Sequence, residues 1–144
     1  MTSPDLSRFE EGQRLAYAGA LEEITNGRKI GHWLWYIFPQ LAGLGKSAKS
    51  VEFGVAGLTE ARAYMAHPVL GTRLDACAEA LLAVDGRTIT EILGATDAMK
   101  LRSCATLFAA VTPPGSVFEQ LLEKYYNGER DERTLHALRA QDHD

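Results

Sequence analysis

The chain has 144 residues, 46% of them hydrophobic and 24% charged, with a formal net charge of −4. That length fits one domain with a single sizeable core, and the acidic balance excludes general attraction to nucleic acid or to an anionic membrane surface. No apolar run exceeds six residues, far below the ~18–20 of a membrane helix, and Met1-Thr2-Ser3-Pro4-Asp5 lacks the basic start and apolar run of a signal peptide, so a cytoplasmic location is expected.

The first helix is predicted from Asp5 to Asn26. Leu6, Phe9, Gln13, Ala16, Tyr17, Ala20, Leu21 and Ile24 recur at three- and four-residue steps, one face of a helical period. Ser3 or Asp5 can cap its start, and Gly27 stands where a left-handed residue would end it. Both tryptophans follow, in His32-Trp33-Leu34-Trp35-Tyr36-Ile37-Phe38-Pro39-Gln40. Its apolar residues are too crowded for one stripe, which predicts a short, nearly fully buried helix stopped by Pro39. A buried strand is the alternative, but no partner strand is visible elsewhere. Residues 41–58 read as one long irregular stretch with four glycines and a helical turn around Ser47–Phe53. Loops of that length in compact domains are often functional.

Thr59 opens a short helix ending at His67, and Pro68 supplies the first turn of the next, which carries Leu70, Leu74, Cys77, Leu81 and Val84. Thr88-Ile89-Thr90-Glu91 has the form of a capping box for a short helix closed by Gly94. A further helix runs from Asp97 to Val111 and stops at Pro113-Pro114. Ser116-Val117-Phe118-Glu119 is a second capping box, and Asp131 caps a last short helix. The fold class is therefore all-α: a single compact domain over residues 1–144, of about seven or eight helices around the buried aromatic segment, with residues 140–144 as a frayed tail. Cys77 and Cys104 lie on apolar helix faces with no further ligand at metal-binding spacing, and read as small buried hydrophobes.

At the aromatic segment, followed by Gly43-Leu44-Gly45-Lys46-Ser47, the chain closely resembles the domain-of-unknown-function 1810 family of uncharacterised bacterial and fungal proteins. The likeness continues through Glu60-Ala61-Arg62-Ala63-Tyr64 and His67-Pro68-Val69-Leu70-Gly71-Thr72-Arg73-Leu74. It resumes at Gly94, Asp97, Lys100, Leu101, Ser103 and Thr106-Leu107-Phe108, and again at Asp131 and Thr134-Leu135. The resemblance implies a compact all-α fold of its own type and no established activity. Phe53 stands where the family's tyrosine is expected, and Cys104 where a second serine is expected. Both departures remove a hydroxyl.

His32 can serve as a general acid or base, or donate to an anion, or simply cap the short helix. His67, before Pro68, reads as structural at a helix junction. The tryptophans can stack on a planar ligand; the alternative is that Trp33 and Phe38 are core while Trp35 or Tyr36 is partly exposed. The Gly43–Ser47 loop offers backbone amides, a lysine and a hydroxyl to a phosphate, but it lacks the Walker spacing and a preceding strand, so it is no P-loop. Asp97, Lys100 and Ser103 or Cys104 share a helix face. Arg73 is similarly set among Leu70 and Leu74. No triad, nucleophile elbow, metal motif or carboxylate pair can be assembled, and no cofactor is implied.

Three functional readings follow. The first is a domain binding a phosphorylated or nucleotide-like small molecule through His32, Trp35, Gln40, Lys46, Ser47, Arg73 and Lys100. The second is a non-catalytic protein-interaction module. The third is a hydrolase acting on a nucleotide derivative, with His32 or Asp97 transferring the proton. The expected partner is an anionic small molecule, neither nucleic acid nor membrane. A site would bring His32, Lys46, Arg73 and Lys100 together beside Trp35; carboxylate partners, Asp97 for Lys100 and Asp75 or Glu79 for Arg73, would count against it.

Overall fold

The apolar periodicity resolves into nine α-helices among the described residues, 4–142, of the computed structural model. They are α1 (Ser7–Thr25), α2 (Leu34–Ile37), α3 (Ala48–Glu52), α4 (Leu58–Ala66), α5 (Leu70–Leu82), α6 (Ile89–Leu93), α7 (Ala95–Ala109), α8 (Val117–Tyr126) and α9 (Glu132–Asp142). Helix takes up 65% of the described residues, and no strand occurs among them. One parallel bridge, Leu41 to Val55, is isolated. Helix α5 packs against α1, α4 and α8, while α7 packs against α6, α8 and α9.

The predicted faces fold inward. Leu6, Phe9, Gln13, Ala20 and Ile24 of the first helical face are buried. Asp5 accepts from the Ser7 amide at 2.9 Å, whereas Ser3, the other candidate cap, lies outside the described residues. Gly27 adopts φ +74°, the left-handed conformation that ends α1. The Thr88 box is complete, with Thr88 accepting from the Glu91 amide at 3.1 Å and Glu91 from the Thr88 amide at 2.8 Å. The Ser116 box is half formed: Ser116 caps Glu119, but the Glu119 carboxylate turns to the Gly115 amide and to Arg130, 2.8 Å away. Several boundaries differ from the sequence reading: α1 spans Ser7–Thr25 rather than Asp5 to Asn26, α4 spans Leu58–Ala66 rather than Thr59 to His67, and α7 ends at Ala109 rather than Val111. Helix α5 starts after Pro68 rather than at it, α7 begins two residues before Asp97, and α9 continues through Ala140 to Asp142. Gln141 there donates to the Ala56 carbonyl at 3.1 Å, which holds the helix end; His143 and Asp144 lie outside the described residues.

The middle of the core is an aromatic series from four helices. Phe9 meets Tyr64 at 5.1 Å between ring centroids, Tyr64 meets Phe108 at 5.4 Å, and Phe108 meets Phe118 at 5.6 Å. The tryptophan segment joins this series from one side, through Tyr36 standing edge-on to Phe53 at 4.8 Å and Phe53 to Phe9 at 6.1 Å. Trp33, Leu34, Ile37 and Phe38 are buried, while Trp35 and Tyr36 are half-buried.

A polar clasp holds that segment to α1. One oxygen of Glu23 accepts from the Ile30 amide at 2.6 Å, the Gly31 amide at 2.9 Å and the Trp33 indole at 2.9 Å. Burial raises the Glu23 pKa, but the hydrogen bonds from Gly31, Ile30 and Trp33 together outweigh it and hold the carboxyl below its ordinary value. A depressed folded-state pKa stabilises the fold above the unfolded value of ~4.3, and that contribution disappears as pH falls through the folded one. Glu23→Gln is expected to lower the melting temperature at neutral pH and to flatten the acid limb of the stability–pH profile below pH ~4.3. An acid limb identical to that of the native protein would show that this carboxylate does not carry the clasp.

Candidate functional site

The irregular stretch after the aromatic helix is closed at its base by two backbone bonds. Val55 donates to the Gln40 carbonyl at 2.9 Å, and Ala42 donates to the Val55 carbonyl at 2.8 Å. This fixes Gln40. Within the loop, Ser47 caps α3, accepting from the Ser50 amide at 3.1 Å. Gly45 presses on Ser50 so closely that an added Cβ would sit 2.5 Å from its side chain and 3.1 Å from the Gln40 amide nitrogen. Only glycine admits that approach. Arg133 of α9 donates to the Leu44 carbonyl at 2.9 Å and so ties the loop tip to the last helix.

Helix α7 supplies the facing wall. Thr96, Met99, Lys100 and Ser103 follow at three- and four-residue steps and share one face. The start of α9 is stapled to α7: Asp131 donates its amide to Thr106 at 2.9 Å, and its carboxylate caps Thr134 at 2.9 Å. Arg102 holds the carbonyls of Glu129 and Arg130 at 2.9 and 3.0 Å. Between loop and helices lies a cleft of about 190 Å³ lined by Gln40, Leu44, Gly45, Thr96, Met99, Lys100, Ser103, Asp131 and Arg133. Beside it is a slot of about 10 Å³ among Leu34, Trp35, Phe38, Pro39, Ser50 and Phe53, with Gln40 and Lys100 shared by both spaces.

Lys100 is the unusual group. It is half-buried, and among the described residues no carboxylate pairs with it, because Asp97 is taken by Lys29 at 2.9 Å. Its ammonium stands 5.5 Å from the Trp35 ring centroid, within the range of a cation–π attraction. The Trp35 indole nitrogen is buried and has no hydrogen-bond partner among the described residues. The cleft thus holds two cations, Lys100 and Arg133, against one carboxylate, Asp131, which is already engaged in capping.

Of the residues singled out in the sequence, Trp35, Gln40 and Lys100 meet here. Lys46 and Ser47 lie exposed on the same loop next to Gly45, with the Ser47 hydroxyl occupied at α3. His32 is exposed and does not line the cleft. Arg73 sits elsewhere, over the Tyr17 ring at 4.8 Å and 3.4 Å from the buried Gln13. It has no carboxylate partner among the described residues, so neither Asp75 nor Glu79 serves it. Arg133, Ser50, Thr96 and Leu44 complete the site without having been singled out. Broader depressions of about 500–600 Å³ elsewhere are shallow, and salt bridges hold several of their cations, Arg8 to Glu60 at 2.7 Å and Arg14 to Glu11 at 3.2 Å.

The family described as "Protein of unknown function (DUF1810)" matches residues 3–138. The chain belongs to that family. The DUF1810 chain is also similar to the conserved hypothetical protein Rv1873 from Mycobacterium tuberculosis, known from a crystal structure. Identity is 47%, covering 94% of this chain and 96% of that one, with a TM-score of 0.92. No curated protein matches. Both departures from the expected DUF1810 pattern lie inside the molecule. Phe53 is buried as a wall of the slot, and Cys104 is fully buried, its thiol pushed up by desolvation. Burial likewise pushes the Cys77 thiol up to about 12. Among the described residues of this DUF1810 chain, no helix is long and apolar enough to cross a membrane. Nor, among those residues, do three or more His, Cys, Asp or Glu side chains gather as a metal would require.

Proposed function

We propose that the cleft between the glycine loop, α7 and α9 binds a small phosphorylated or nucleotide-like molecule, with Lys100 as its charge partner. The observation that carries this reading is the half-buried Lys100, without a carboxylate partner among the described residues, facing glycine-rich backbone and Arg133. A partly desolvated ammonium without an anion is costly to keep, and a bound anion would offset that cost. Glycine loops bring amide groups close to such oxygens.

The test is a thermal-shift screen against sugar phosphates, nucleotides and dinucleotides. A ligand at ~100 times its dissociation constant stabilises by about 2.7 kcal/mol. Lys100→Ala removes that partly desolvated charge, so it is expected to raise the free protein's melting temperature slightly and to abolish the ligand-induced rise. A rise that survives Lys100→Ala would contradict the assignment. The interaction-module reading has one observation in its favour, the 71% exposure of Met99 at the cleft rim. The hydrolase reading draws no support from the geometry: Asp97 is bound to Lys29, and His32 stands outside the cleft.

A further inference from the structure

Trp35 carries a buried donor with no acceptor among the described residues. A buried N–H without a protein partner is met by an ordered water or by a ligand. Trp35 lines a slot of about 10 Å³, room for about one oxygen-sized group. That slot opens beside Lys100 and Gln40, which also line the larger cleft of about 190 Å³. Enclosed ligand pockets commonly span ~300–1,000 Å³, so this cleft suits a body of sugar size rather than a dinucleotide.

We infer that the site is bipartite: the slot takes one oxygen of a phosphomonoester, donated to by the Trp35 indole, and the cleft takes a sugar-sized body. This deepens the proposed anion site and rests on it. Trp35 then determines specificity, because a site built around a donor discriminates against ligands that cannot accept there. Trp33 provides an internal reference, since its own indole is already bonded to Glu23 at 2.9 Å.

The experiment is ¹H–¹⁵N NMR on the full chain labelled at tryptophan, titrated with ribose 5-phosphate and, separately, with ribose. Two indole signals are expected, assigned with Trp35→Phe. Ribose 5-phosphate should move the Trp35 signal and leave that of Trp33 in place, while ribose moves neither. Trp35→Phe, which keeps an aromatic ring beneath Lys100, should weaken ribose 5-phosphate binding about tenfold, with circular dichroism confirming the fold. If ribose 5-phosphate binds in a Lys100-dependent manner but the Trp35 indole signal stays still, the slot assignment is overturned and the anion site stands. If it does not bind at all, the bipartite assignment is overturned, and the anion site with it when no compound of the thermal-shift screen binds either.

Discussion

Trp33→Ala is expected to destabilise the protein by about 3–5 kcal/mol, the cost of emptying a buried large aromatic site, and to lower the melting temperature by about 10–20 °C. The ring is 4% exposed and lies 6.5 Å from Phe38 between centroids. Its removal also takes away one of the three donors to Glu23 and the surface over which the Lys29 ammonium sits at 5.3 Å. Trp33→Phe separates the two contributions, keeping most of the volume while losing the indole donor. Equilibrium urea unfolding of both variants measures the difference. A Trp33→Ala midpoint equal to that of the native protein would mean that the ring is not part of the core.

Breaking the Lys29–Asp97 pair should have the next largest effect. The two side chains are 9% and 19% exposed and 2.9 Å apart, and Lys29 also donates to the Gly31 carbonyl at 2.6 Å. Removing one partner strands a desolvated charge, so Lys29→Met or Asp97→Leu alone is expected to cost about 3 kcal/mol, toward the lower end of the range for buried pairs. The double variant removes both charges and should regain most of that loss. Unfolding free energies of the four proteins form the cycle. Additive losses would mean that the two groups do not interact.

The fold was legible because its signals are local. The stripe of α1, the Thr88 capping box and the stop at Pro39 each depend on residues a few positions apart, and each is found. The wall of the core was less legible. The tryptophan segment is conspicuous by composition, yet the centre belongs to Phe9, Tyr64, Phe108 and Phe118, which look ordinary in four separate helices and meet only by tertiary packing. The site divides in the same way. Trp35, Gln40 and Lys100 carried signals: an aromatic cluster, a glycine loop and a lysine on an apolar face. Arg133 carried none, because nothing in α9 indicates that its side chain reaches the Leu44 carbonyl across the fold. Asp97 was misleading for a physical reason. Its spacing to Lys100 suits a helix-face pair, but the chain after α1 brings Lys29 to 2.9 Å. That exchange leaves Lys100 without a carboxylate partner among the described residues.

The most direct measurement is a crystal of the protein soaked with ribose 5-phosphate. Phosphate density is expected within hydrogen-bonding distance of the Lys100 ammonium, at the mouth of the Trp35 slot, with the sugar in the cleft between Gly45 and Arg133. Density only among Arg14, Lys49 and Tyr36 in the groove beside α1, or none in a fully soaked crystal, would contradict that placement.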